Sequence, residues 1–217
     1  MRDDSADLIP PGAFLAIAER LNLIQEIDRW VTARAIELMA GYRDAGVDVT
    51  FEVNLSGLSI GDPELLALIE RRLEETGVPP SWLIFEITET AAVANIPRAR
   101  AFGERLSELG CRFALDDFGA GFGSFYYLKH LPFDYLKIDG EFVRNCVTNA
   151  TDRLIVQSVV GIAQGLHKQT IAEFVGDEET LRALNRLGVD FAQGYHTGKP
   201  APLDDLIALP DPSKSPV

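Results

Sequence analysis

Short runs rich in β-branched and aromatic residues alternate along this chain with longer stretches whose apolar residues recur at helical spacing. The spacing predicts strands over Val49–Leu55, Trp82–Thr88, Arg112–Asp116, Tyr135–Asp139, Gln169–Glu173 and Phe191–Tyr195. It predicts helices over Ile24–Ala45, Pro63–Thr76, Ile96–Leu109, Thr151–His167 and Glu178–Leu187, with a short one near Phe125–Leu131. Asp62-Pro63 opens one helix as cap and first-turn proline and Gly77 closes it, while Gly110 and Gly188 end two others. Such βαβα alternation predicts an α/β fold with a parallel sheet and helices packed outside it. Six strands are two short of a closed (β/α)8 barrel. An open doubly wound sheet accommodates six, but it gathers its ligand groups at a switch point instead of on nearly every strand.

Every predicted strand here ends in a polar or charged residue. Reading the C-terminal ends in order gives Asn54, Glu86, Asp116 with Asp117, Lys137, Glu173 and Gln193. In a barrel those ends share one face, where active sites are built, so these side chains are expected to converge. Four carboxylates brought together would repel one another, and divalent cations resolve the conflict. Oxygen ligands without His or Cys favour hard ions such as Mg2+ or Mn2+. The adjacent Asp116-Asp117 suits a pair of ions, the usual device for in-line cleavage of a phosphodiester.

Each residue also has a plainer explanation. Asn54 could cap a loop, Glu86 could be a solvated strand end, and Asp116-Asp117-Phe118-Gly119-Ala120-Gly121 could be only a turn. Glu173 lies close to the acidic run Asp177-Glu178-Glu179, which would suit a helix N-terminus, and Gln193 could be ordinary packing. Lys137, within Tyr135-Leu136-Lys137-Ile138-Asp139, is harder to dismiss, because a buried strand excludes a lysine that has no partner.

Composition narrows the function. The 217 residues are 47% hydrophobic and 24% charged, enough for one sizeable core. A formal charge of −13 argues against a general DNA-binding surface, since that needs clustered Lys and Arg. A small anionic ligand is compatible with it, provided that bound metals supply local positive charge. Cys111 and Cys146 form no CxxC pair, which fits a reduced, cytoplasmic setting. No apolar run approaches the roughly 18 residues of a membrane span, so no membrane insertion is expected of this segment. Residues 1–209 read as one domain, and 210–217, rich in Pro and Ser, as a tail.

In order and type these motifs resemble the EAL domain family. Pro10-Pro11-Gly12-Ala13-Phe14 with Ala18-Glu19-Arg20, Val53-Asn54-Leu55-Ser56, Glu86-Ile87-Thr88-Glu89, Asp116-Asp117-Phe118-Gly119, Lys137-Ile138-Asp139, Ala172-Glu173 and Gln193-Gly194-Tyr195 carry the resemblance. It implies a TIM (β/α)8-type barrel that hydrolyses cyclic di-GMP to linear pGpG with two Mg2+ or Mn2+ ions. By position, Asn54, Glu86 and Asp116 would bind one metal, and Asp116, Asp117 and Glu173 the other. Lys137 would contact the catalytic water and Glu173 would be a general-base candidate, with Gln193 and Asp139 supporting the site. Glu89 would anchor the loop 117–124, through which family members often pair as homodimers, and a cyclase or sensory domain would be fused to or paired with this one.

Two departures accompany the resemblance. The family's Glu-Ala-Leu motif, a metal ligand with a phosphate-binding arginine nearby, is expected before residue 1, and nothing in Met1–Leu8 replaces it. The strand deficit agrees, so the barrel is expected to lack its first two strands. Ala172-Glu173-Phe174-Val175-Gly176 stands where the family commonly has Ala-Glu-Gly-Val-Glu. A catalytically inactive EAL module that acts as a cyclic di-GMP receptor or interaction domain is the alternative reading.

Overall fold

The computed structural model describes residues 9–120 and 125–207. The expected tail at 210–217 and the glycine-rich stretch 121–124 lie outside the described residues. Helices α1 (Pro11–Arg20) and α2 (Ile24–Asp44) precede a repeating strand–helix series. That series runs β1 (Phe51–Asn54), α3 (Pro63–Thr76), β2 (Leu83–Thr88), α4 (Glu89–Ala94), α5 (Ile96–Leu109) and β3 (Arg112–Phe118). It continues with β4 (Tyr135–Ile138), α6 (Gly140–Asn145), α7 (Ala150–Gly165), β5 (Gln169–Ala172), α8 (Glu178–Leu187), β6 (Phe191–Ala192) and α9 (Leu203–Leu206). No helix among the described residues is long and apolar enough to cross a membrane.

The six strands form one sheet in sequence order, β1-β2-β3-β4-β5-β6, and every neighbouring pair is parallel. This is the order of a barrel wall, and the expectation of a TIM-barrel-like α/β fold with six strands holds. Alternation along each strand divides the side chains between two cores. Val53, Phe85, Ile87, Phe113, Leu115, Leu136 and Ile138 face the helices in the large core, whereas Ile84, Ala114, Tyr135 and Ile171 form a small separate cluster on the other face. That second face is the inside of the barrel wall. It borders an open cavity of about 500 Å3 into which Glu52, Arg112 and Phe191 also project, with Arg112 Nη1 donating to the Tyr135 hydroxyl at 2.6 Å.

Local chemistry sets the boundaries. Asp62 caps α3 by accepting from the Glu64 N–H at 3.0 Å, and its other oxygen takes Arg29 Nη1 at 2.6 Å, which ties α3 to α2. Four helices among the described residues escape the periodicity because they span few turns: α1, α4, α6 and α9. Thr88 caps α4 and Asp139 caps α6, so residues that read as strand ends also start helices. Strand β6 is shorter than the predicted Phe191–Tyr195. Beyond Ala192 the chain runs against residue 175, with the Val175 N–H donating to the Gln193 carbonyl at 3.0 Å. A Cβ at Gly194 would meet the Val175 nitrogen at 2.3 Å, so only glycine fits this approach.

Candidate metal centre and anion cavity

The sequence places Asp116 and Asp117 side by side, and in a regular strand their side chains would point to opposite faces. Strand β3 avoids this with an irregularity. Its register against β4 shifts between Leu115 and Phe118, and Asp117 adopts φ 52°, the left-handed conformation that Asp tolerates better than most residues. Carboxylate oxygens of Asp116, Asp117 and Glu173 consequently all lie within 4.8 Å of one another. Asp117 is exposed at the mouth, whereas Asp116 and Glu173 are buried.

Lys137 is the hub below them. Its side chain is 2% exposed, and its Nζ lies 2.5 Å from Glu86 Oε2, 2.9 Å from Glu173 Oε1 and 3.1 Å from Asp116 Oδ1. Three parallel neighbouring strands and β2 thus deliver one cation and three anions to one point. Burial works against the ammonium's charge, but the carboxylates of Glu86, Asp116 and Glu173 outweigh it and raise the Lys137 pKa. Burial pushes Glu86 up to about 7 despite Lys137, and raises Glu173 for the same reason. At Asp117, loss of hydration and then the like charges of Asp116 and Asp139 raise the pKa.

One lysine cannot satisfy this cluster. Glu86 Oε2 and Asp116 Oδ1 are buried at ion-pair distance from Nζ, yet neither has a hydrogen bond of acceptable geometry. Buried acceptors left in this state are costly, and hard divalent cations are the partners that an all-oxygen set suits. The residues present therefore fit such ions. Asn54 pairs in register with Glu86 at the end of β1 and is exposed, on the same side of the sheet as Glu86. Gln193 follows β6 and borders both the barrel-side cavity and a second cavity that begins at Glu173. Asp139 accepts at Oδ1 from the Glu141 N–H at 2.6 Å as the cap of α6, and its charge acts on Asp117.

Glu89 holds the segment that follows Asp117. It is buried, Oε2 accepts from the Gly119 N–H at 2.9 Å and Oε1 accepts from the Tyr127 hydroxyl at 2.6 Å. Both sides of the stretch 121–124 are thereby tied to one carboxylate. Tyr127 was not singled out by sequence, where nothing distinguishes it from the neighbouring aromatics. The pairing of copies expected through this loop falls on the stretch outside the described residues.

Comparisons with known proteins converge on one family. The EAL domain profile matches residues 1–200. A cyclic di-GMP phosphodiesterase of Shewanella oneidensis, PdeB, is 40% identical over 196 residues, covering 90% of this chain and 23% of that protein. The bifunctional diguanylate cyclase/cyclic di-GMP phosphodiesterase MucR of Pseudomonas aeruginosa is 36% identical over 202 residues, covering 93% of this chain and 30% of that protein. The chain thus spans less than a third of the length of these relatives. Among solved structures, the Xanthomonas citri FimX EAL domain in complex with c-diGMP superposes with a TM-score of 0.88 at 31% identity, covering 91% of this chain and 78% of that one. With the profile spanning nearly all of the chain and the fold matching independently, this protein belongs to the EAL domain family.

Proposed function

We propose that this domain hydrolyses one phosphodiester bond of cyclic di-GMP to give linear pGpG. The observation that carries the reading is the cluster itself: Asp116, Asp117 and Glu173 within 4.8 Å of one another, over a lysine that leaves buried carboxylate oxygens unsatisfied. Asn54, Glu86 and Asp116 would hold one Mg2+ or Mn2+ ion, and Asp116, Asp117 and Glu173 a second. Two such ions, when bound, neutralise the phosphate and make water acidic enough to attack near neutral pH.

The chain's own groups divide the remaining work. Glu173, whose raised pKa keeps it a competent acceptor, takes the proton of the attacking water, in keeping with a base poised toward the working pH. Water oxygen bonds to phosphorus as the bond to the ribose 3′ oxygen breaks; that oxygen takes a proton from solvent, and Glu173 returns the water's proton to solvent before the next turnover. Lys137 stays protonated through the cycle and fixes the positions of Glu86, Asp116 and Glu173. Gln193 borders the path by which the substrate reaches Glu173. Relatives such as MucR join this activity to a cyclase in one protein, and we extend the proposal to a cytoplasmic module fused to or paired with a cyclase or sensory unit.

The test is incubation of the protein with cyclic di-GMP and Mn2+, followed by separation of products. Formation of pGpG, abolished in Glu86→Ala and Asp116→Ala, is the expected result. Binding without turnover would make the domain a receptor, and neither binding nor turnover would sink both readings.

A further inference from the structure

The inner face of the sheet carries one carboxylate that the metal centre does not use. Alternation along β1 sets Glu52 on the same face as Asn54, and its register with Ile84 puts it one inward-facing position below Glu86. Its neighbours Phe51 and Val53 turn the other way and pack in the large core. The inward residues that share this face on β2, β3 and β5 are Ile84, Ala114 and Ile171, so a charge at Glu52 breaks an apolar ring. Among the described residues that line the lumen cavity of about 500 Å3, Glu52 is the one acidic side chain. No hydrogen bond or salt bridge among the described residues engages its carboxylate.

Two cations face the same lumen. Arg112 is already committed, with Nη1 donating to the Tyr135 hydroxyl at 2.6 Å. Lys137 stands in register with Ile171 of the inner face, and its field reaches Glu52. Water enters the open cavity, yet loss of hydration on the lumen side still raises the Glu52 pKa, with Lys137 pulling it down and Asp116 adding to the rise.

Charge explains what the extra carboxylate is for. Lys137 approaches Glu86, Asp116 and Glu173, which are also carboxylates of the proposed ion sites. Once loaded, two divalent ions and one ammonium set five positive charges against the four carboxylates Glu86, Asp116, Asp117 and Glu173. Each carboxylate oxygen turned toward an ion is also withdrawn from Lys137. An ammonium that is 2% exposed then needs another counter-charge, placed where it does not compete for the ions. We infer that Glu52 is a positioning residue that serves as the counter-charge of Lys137 from the lumen side when the carboxylates over that lysine hold divalent ions. The inference rests on the proposed ion sites and adds to them a residue outside both ligand sets. In the metal-free protein Glu52 only adds like charge near Glu86 and Asp116, so the fold does not depend on it.

The experiment combines calorimetric titration with Mn2+ and thermal melts in EDTA, for wild type, Glu52→Gln and Glu52→Asp, with a crystal structure of the Mn2+-loaded wild type. Glu52→Gln keeps the size of the side chain and removes its charge. Expected for it are an unchanged or higher melting temperature in EDTA and Mn2+ affinity weakened about threefold or more, with part of the loss recovered in Glu52→Asp. In the loaded crystal structure a Glu52 oxygen is expected within about 4 Å of Lys137 Nζ. A smaller loss of Mn2+ affinity in Glu52→Gln would overturn the inference, as would a loaded structure in which Glu52 turns to Arg112 or to bulk water. A lower melting temperature of Glu52→Gln in EDTA would overturn it too, by making Glu52 part of the metal-free fold. Wild type that takes up no Mn2+ would sink the proposed ion sites first, whereas uptake that Glu52→Gln leaves unchanged sinks this inference alone.

Discussion

Replacing Lys137 by Met tests the electrostatic reading of the site. The side chain is 2% exposed and its ammonium lies within 3.1 Å of oxygens from Glu86, Asp116 and Glu173, so Met of similar length fills the space and deletes only the charge. Removing one partner of a buried ion pair costs about 3–5 kcal/mol because the remaining charge is stranded, which for a chain of this size lowers the melting temperature by roughly 6–20 °C. The pH dependence follows from the signs. In wild type the Lys137 pKa is raised on folding, so its contribution is complete below the ordinary lysine pKa and does not vary across neutral pH. In the variant the carboxylates lose their counter-charge, and pKa values already raised, to about 7 at Glu86, rise further. Protonated carboxyls then stabilise the fold at low pH and that stability is lost as pH rises through their folded values. Thermal melts in EDTA are thus expected to show a large deficit at pH 8–9 that shrinks toward pH 5, and added Mn2+ is expected to narrow it at pH 8. A variant that melts with wild type at pH 8, or a deficit that stays constant from pH 5 to 9, would refute the reasoning.

Glu86→Gln should separate stability from function. Burial lifts the Glu86 pKa, so its ionisation destabilises the metal-free fold as pH rises through about 7, and the neutral amide escapes this. The variant is expected to melt above wild type in EDTA at pH 8.5, to match it near pH 5, and to bind Mn2+ more weakly; a lower melting temperature at pH 8.5 contradicts the burial argument. Glu89→Ala strands the buried Tyr127 hydroxyl and frees the Gly119 N–H, at a cost of about 2–4 kcal/mol, with faster amide exchange at Gly119 and loss of turnover. Unchanged exchange there would show that Glu89 does not hold this segment. Mn2+ affinity of wild type should fall about tenfold per pH unit below 7 as one proton competes at Glu86, and titrations that give one affinity from pH 5.5 to 8 would exclude that competition.

Much of this was legible in the chain. Short runs rich in β-branched and aromatic residues, set between stretches of helical spacing, located all six strands, and a polar residue at each strand end followed from reading where the apolar runs stop. Lys137 in an apolar strand announced a buried partner, because a lone ammonium cannot be sequestered from water. Local signals of this kind survive in sequence since each depends on neighbours within a few residues.

Three features were decided by the tertiary structure alone. Adjacent aspartates alternate faces in any ideal strand, and only the shifted register of β3 against β4 turns Asp117 toward Asp116 and Glu173. Tyr127 reaches Glu89 from 38 residues away, and a hydroxyl's partner across that separation leaves no periodicity to read. Gly140 and Phe174 explain each other only once β4 and β5 are paired and the ring lands where a Cβ would stand. Sequence determined which residues end the strands, because burial and hydrogen bonding act locally along the chain; packing determined which of those ends meet, because distances between strands are set by register and close approach.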